Sequence, residues 1–366
     1  MSQDILRMSA AQLLDHYREG QLSPVEVATA MLDQIERVDS VTNGFCLVDR
    51  ETTLAYARES EQRYQQNEAI GLMDGVPVAI KDVFLTPMWP TLKGSRTVDP
   101  KTTLDKTAPA VAALGRHGYV PMGKTTTPEF GWKAVTDSPL HGVTNNPWDP
   151  SKTAGGSSGG NAVAVALGMA PVAIGTDAGS GLRVPASFCG LVGFKPSAGE
   201  VPHWPASSFG SLAHAGPMAW TVADCALTMN VLSESDHRDV SAIPRRHIDY
   251  TALLDRGVKG LKIAYSPNLG YADVDSQVGH ALEEAVQVFE QLGAEVVRVG
   301  PGLNDPLGTF GHLFYSGAAN AMRHLTTRKR EVMDPELVKV AKKASSLTVL
   351  DYLGACDDAR LLRERM

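Results

Sequence analysis

Between Lys152 and Arg183 the sequence reads K-T-A-G-G-S-S-G-G-N-A-V-A-V-A-L-G-M-A-P-V-A-I-G-T-D-A-G-S-G-L-R, two Gly/Ser turns at the ends of a short apolar segment, with no charge from Thr153 to Thr176. Gly155, Gly156, Gly159 and Gly160 let the backbone come close to a reacting group, while Ser157 and Ser158 supply hydroxyls. The second turn, Gly175 to Gly181, adds a cluster of unencumbered amides and one more serine, Ser180. A flexible linker shares this composition, but it would not enclose the apolar run Ala162 to Ile174, which must be buried.

A serine hydroxyl is a weak nucleophile and needs a base within hydrogen-bond reach. Among the histidines, His117, His141, His203 and His214 have no G-x-S-x-G elbow to accompany them, so a Ser-His-Asp arrangement is unsupported. Lys81 ends the apolar run V-P-V-A-I-K, where burial penalises its charge. Bringing its pKa from about 10.4 to near 7 means destabilising the ammonium by about 4 to 5 kcal/mol, which desolvation can supply. Ser157 could then relay a proton to it. Asp82, the next residue, should point to the other face of the strand and leave Lys81 un-neutralised. The plainer reading is a lysine that snorkels to solvent from a strand end.

Gly118, Gly123, Lys124 and Thr125 fit the G-x-x-x-x-G-K-T pattern of a nucleotide loop. That loop cradles phosphate with consecutive backbone N–H groups, whereas Tyr119 to Met122 reads as strand and Pro121 has no N–H to give.

The elements that must hold these residues begin with helices. Ser9 with Gln12, and Ser23 with Pro24 and Glu26, are helix starts, and Thr52 to Gln66 reads as a third helix. Strand and helix then alternate: strand Val76–Lys81, helix Ala108–His117, strand Tyr119–Met122, helix Ala162–Leu167, strand Pro171–Ile174, helix Thr221–Leu232. Leu261–Ser266, Ser276–Leu292 and Ala294–Val299 form a further strand-helix-strand crossover, and a polar helical stretch follows to Met366. Ser233 to His247 reads as a long surface loop.

The chain has 366 residues, 43% of them hydrophobic, enough for a sizeable core. A net charge of -7 without a run of basic residues offers no footprint for nucleic acid or an anionic membrane. Cys46, Cys189, Cys225 and Cys356 are scattered without a C-x-x-C pair, as expected of buried thiols in a reducing, cytoplasmic setting. Met1 to Leu14 lacks the apolar stretch of a secretory signal, and Ala162 to Ile174 is too short to span a bilayer.

The motifs resemble the amidase signature family of serine hydrolases: G-V-P-V-A-I-K-D at Gly75 to Asp82, N-P-W-D at Asn146 to Asp149, G-G-S-S-G-G at Gly155 to Gly160, G-T-D-A-G at Gly175 to Gly179, L-R-V-P-A-S-F-C-G-L-V-G-F-K-P at Leu182 to Pro196, and G-P-M at Gly216 to Met218. The resemblance covers most of residues 5 to 300. It implies an α/β/α fold, a mixed twisted sheet covered by helices on both faces, in one domain with a helical entry over about 1–70, a catalytic core over about 71–235 and a further α/β part over 255–366. It also implies no cofactor and no metal, a small-molecule amide as substrate, and hydrolysis or transfer at a carboxamide through a seryl acyl-enzyme.

Residue by residue, the family's lysine falls on Lys81 and its cis serine on Ser157, with Ser158 beside it. The nucleophile does not carry over. The family reads G-T-D-x-G-G-S-[IL]-R where this chain reads G-T-D-A-G-S-G-L-R, so Gly181 occupies the nucleophile position and Ser180 is the displaced candidate. Either the loop is free enough for Ser180 to swing into place, or the chain is an impaired homologue that binds an amide or a partner protein. The amides of Ala178, Gly179 and Ser180, in the loop that ends at Gly181, are expected to face the oxyanion, and Asp177 and Arg183 to pair, either to fix the loop or as a purely structural salt bridge. The family continues past the point where this chain stops, which implies an incomplete sheet and pocket wall here; the candidate partners are a second copy, forming a homodimer, or the partner subunit of an amidotransferase. Trp89, Phe130, Trp132, Trp204 and Phe209 are candidates to line the pocket, although each is more often core or loop packing than a ligand contact.

Overall fold

The computed structural model describes residues 5–103, 105–244 and 248–366, and the last three residues of the expected 233–247 loop lie outside them. The chain divides into two compact units, residues 1–251 with 317–342, and residues 252–316 with 343–366.

The first unit opens with α1 (Ala10–Arg18) and α2 (Pro24–Thr42). Each carries the reciprocal cap expected from its sequence: Gln12 N–H donates to Ser9 Oγ at 3.1 Å while Ser9 N–H donates to Gln12 Oε1 at 2.9 Å, and Ser23 and Glu26 repeat the arrangement. Then come β1 (Phe45–Leu47), α3 (Arg50–Gln66), β2 (Pro77–Lys81), α4 (Pro109–Arg116), β3 (Val120–Thr125), α5 (Gly159–Ala166), β4 (Val172–Asp177), α6 (Arg183–Cys189), β5 (Val192–Gly193), β6 (His214–Ala219) and α7 (Val222–Leu232). The strands form one six-stranded sheet in the order β1-β3-β2-β4-β6-β5. β3, β2 and β4 run parallel, with Val78 opposite both Pro121 and Val172, while β1, β6 and β5 pair antiparallel.

Alternation along the central strands builds two cores. Ala79 and Ala173 face a cluster with α2 and α5 (Val27, Met31, Val163), and Val78, Ile80, Val172 and Ile174 face the opposite cluster with α4 and α7 (Val111, Leu114, Met229, Leu232). The sheet is therefore mixed and covered by helices on both faces. Apart from α5, which starts earlier than expected at Gly159, the elements read from the sequence agree within a few residues. β1, β5, β6 and α6 were not legible, because they are short or, like β6, interrupted by Gly216 and Pro217.

The apparent nucleotide loop is not a loop at all. Gly118 turns the chain into β3, and Lys124 lies inside that strand, fully buried and ion-paired with Asp82 at 3.0 Å. The register slips by one residue at Met122, so β3 carries a bulge.

The second unit contains β7 (Lys262–Tyr265), α8 (Ser276–Gln291) and β8 (Glu295–Arg298), the two strands parallel as in a crossover unit. Among the described residues no helix is long and apolar enough to cross a membrane. The four cysteines are free thiols, Cys189 and Cys225 buried, Cys46 and Cys356 half-buried.

Candidate active site

Three parallel strands end on one edge of the sheet, β2 at Lys81, β3 at Thr125 and β4 at Asp177. The carboxyl edge of a parallel sheet is where connecting loops leave room for a ligand. Lys81 follows Ile80 in the pleat and shares the face of Ala79, the side on which α5 packs.

Lys81 is fully buried. Its Nζ donates to Ser157 Oγ at 2.7 Å and to Thr176 Oγ1 at 2.9 Å, with the Thr176 carbonyl oxygen at 3.5 Å. Burial brings its pKa down to about 7, with the Asp177 charge opposing the shift. Asp82, as its place in the chain suggested, is turned to Lys124. Thr176 is a partner that sequence reasoning missed, although it stands inside the G-T-D-A-G motif.

Ser157 follows a cis peptide bond after Gly156 and is 7% exposed, opening on a cavity of about 120 Å³. Gly156 is required here by close packing: a β-carbon at this position would lie 2.7 Å from the backbone of Val135. Ser158 is fully buried and plays a framework part, its amide donating to the Gly181 carbonyl at 3.0 Å and its hydroxyl to the Thr176 carbonyl at 3.3 Å.

The second turn is organised by Asp177, which is 1% exposed. It accepts from the amides of Ser180 at 2.8 Å and Leu182 at 3.2 Å, and from Arg183 Nε and Nη2, each at 2.9 Å. Burial pushes its carboxyl up, but the Arg183 hydrogen bonds and charge, with the two amides, outweigh this and hold it below its ordinary pKa. The expected Asp177–Arg183 pair is thus present. The expectation for the Ser180 amide needs correction, because that N–H is already given to Asp177. Among the described residues the amides of Ala178, Gly179 and Gly181 donate to no protein acceptor.

Because half of the Arg183 side chain is in solvent, its loss is screened. Arg183→Ala is expected to lower unfolding free energy by about 1 to 2 kcal/mol, read from urea titration at pH 7. A depressed carboxyl stabilises the fold above its unfolded pKa and loses that contribution as pH falls through the native value. The variant's deficit should therefore shrink under acid conditions.

Positions 180 and 181 have exchanged requirements. Ser180 has φ 74°, in the left-handed region that favours glycine, whereas the φ of Gly181 lies outside it. A β-carbon at 181 would stand 2.7 Å from Ser157 Oγ and 2.6 Å from the Thr176 carbonyl oxygen. Position 181 therefore faces the Lys81–Ser157 pair, and the residue there has no side chain. The Ser180 hydroxyl makes no hydrogen bond among the described residues, to Ser157 and Lys81 or otherwise. The swing that would bring Ser180 to the pair is opposed by the hydrogen bond its backbone N–H donates to Asp177.

The sequence profile of the Amidase family matches residues 26–354. This chain belongs to the amidase family. Its amidase signature is shared with an acylamidase of Rhodococcus erythropolis, 34% identical over 361 residues, which span 98% of this chain and 75% of the relative. A glutamyl-tRNA(Gln) amidotransferase subunit from Thioalkalivibrio sulfidiphilus is 40% identical over 291 residues, 79% of this chain. The chain spans only 60% of that relative's length. Among solved structures, a bacterial aryl acylamidase of the amidase signature superposes with a TM-score of 0.90 at 30% identity, covering 98% of this chain and 76% of its own. The amidase fold expected from the motifs is therefore the fold observed.

Of the five candidate aromatics, Phe130, Trp204 and Phe209 line the cavity in front of Ser157. Trp89 is buried with its Nε1 donating to Asp49 at 3.2 Å, and Trp132 donates to Asp334 at 3.1 Å. Cys46, Asp82 and His141 bring potential metal-ligand atoms within 4.8 Å of one another. Asp82 is engaged by Lys124, so a cation there would meet a buried ammonium first.

Proposed function

We propose that this chain cleaves the C–N bond of a carboxamide through an ester on Ser157, with water or another amine as the final acceptor. The observation that carries the reading is the 2.7 Å hydrogen bond from a fully buried lysine, its pKa near 7, to a serine hydroxyl that borders a cavity. Neutral Lys81 takes the Ser157 proton as Oγ bonds to the amide carbon, and the carbonyl oxygen becomes an oxyanion. The unengaged amides of Ala178, Gly179 and Gly181 are the donors available to it. When the C–N bond breaks, the Lys81 ammonium returns the proton to the departing nitrogen. Water then attacks the ester with Lys81 again as base, releasing the acid and restoring the Ser157 hydroxyl. Transfer to a different amine, delivered by a partner protein, is the variant that the similarity to amidotransferase subunits favours.

Hydroxamate formation from simple aliphatic and aromatic amides, together with labelling by a fluorophosphonate, tests the reading. The expected adduct maps to Ser157. An adduct on Ser180 alone would move the attack there, and well-folded protein with neither turnover nor adduct would sink the catalytic reading. That last result would favour a protein that holds an amide without cleaving it, the second reading that Gly181 supports.

A further inference from the structure

The cavity in front of Ser157 is lined by a lysine that has no ion-pair partner among the described residues. Lys93 lines it, and among the described residues its side chain has neither a hydrogen bond nor an ion pair. Its backbone is held at φ 55°, and its carbonyl accepts from Phe130 N–H at 2.8 Å. The carboxylate that acts on it is Asp82, which is already committed to Lys124 at 3.0 Å and to the Leu92 amide at 3.2 Å. Two lysines share one carboxylate, so one ammonium is left over in a mostly buried place. Burial pulls the Lys93 pKa down and Lys124 adds to the shift, which is the strain expected of a cation lacking its anion.

His203 lies on the same cavity wall. Its backbone amide donates to Asp239 at 2.8 Å, but its ring Nδ1 is buried with no partner. Among the described residues no hydrogen bond holds the His203 ring, which leaves it available to a ligand in the cavity. The side chains of Trp204 and Phe209 supply apolar walls beside it.

Resting on the amide-cleaving reading above, we propose that the substrate's acyl or amine part carries a carboxylate, and that Lys93 Nζ and the His203 ring bind its two oxygens in this cavity. One ammonium and one ring N–H match a planar two-oxygen acceptor of single charge. Lys93 is then a specificity-determining residue, and the substrate class is the amide of a small acid with a second, free acid group.

The test compares succinamate and glutaramate with the neutral amides butyramide and valeramide, and measures calorimetric binding of glutarate. A charge-assisted contact predicts a kcat/KM about tenfold to a hundredfold higher for the acids, carried mainly by KM. Lys93→Met should bring that ratio close to one and weaken glutarate binding by about tenfold or more, and His203→Gln should act in the same direction. Thermal melts identify any variant that fails to fold, and the second variant then carries the comparison. Equal use of acid and neutral amides, with glutarate binding indifferent to both substitutions, would overturn the inference and leave amide cleavage standing. Glutarate binding that depends on Lys93 in a protein that cleaves no amide would support the anion site and overturn the catalytic reading.

Discussion

Lys81→Met is expected to lower kcat/KM on amides by about ten-thousandfold or more while making the folded protein more stable at neutral pH. On the proposed mechanism the kinetic loss follows because, among the described residues, Lys81 is the basic side chain hydrogen-bonded to Ser157, and methionine can neither take nor return a proton. The gain in stability follows from the direction of the pKa shift. The native pKa, about 7, lies below the unfolded value, so between them the unfolded chain binds a proton that the native chain does not. Wild-type stability should therefore rise from pH 7 towards pH 10.4, and at pH 7 the buried lysine costs about 4 to 5 kcal/mol.

Methionine of similar length escapes that cost but leaves the Ser157 and Thr176 hydroxyls without their donor, which offsets about 1 kcal/mol each. A net gain of about 2 to 3 kcal/mol at pH 7, shrinking to nothing or reversing by about pH 10, is the expected outcome of denaturant titrations across that range. Wild-type activity should climb through about pH 7 and level off above it, as Lys81 loses its proton. A variant that is both inactive and less stable at pH 7 would mean that the lysine is held as an ammonium.

Exchanging the two loop residues, Ser180→Gly with Gly181→Ser, is expected to raise amide turnover by about a hundredfold or more, the usual worth of a positioned proton relay. The hydroxyl at position 181 would then face Ser157, which passes its proton on to Lys81, and the fluorophosphonate adduct should move from Ser157 to position 181. The single substitutions should differ in sign. Ser180→Gly relieves a left-handed residue, worth about 1 to 2 kcal/mol, against up to about 1 kcal/mol of added chain entropy, for a small net gain. Gly181→Ser alone forces a β-carbon against the Thr176 carbonyl and should destabilise by about 1 to 3 kcal/mol. Unchanged turnover in the exchanged chain, with the adduct still on Ser157, would show that position 181 does not reach the reacting carbon.

Local chemistry made much of this molecule legible. Caps such as Ser9 with Gln12, the apolar strand that ends in Lys81, and the Gly/Ser turns depend on neighbours within a few residues, and each appears where those neighbours imply. Pro121 was enough to reject the nucleotide loop, because a missing N–H is a property of the residue itself. β6 was not legible, since Gly216 and Pro217 interrupt the strand pattern and its pairing with β4 and β5 is made by residues distant in sequence. Lys93 and His203 gave no signal either. A lone lysine and a lone histidine acquire meaning only when a cavity brings them together without partners.

The sequence by itself determined the family, the lysine, the serine that serves it and the glycine at position 181, because these are matters of residue type and spacing along the chain. The tertiary structure alone decided that Lys81 is fully buried, that Ser180 spends its amide on Asp177, and that position 181 is the one aimed at Ser157. Desolvation, hydrogen-bond competition and the direction of a Cα–Cβ bond depend on strands and loops distant in sequence, and they take values only once those elements have packed.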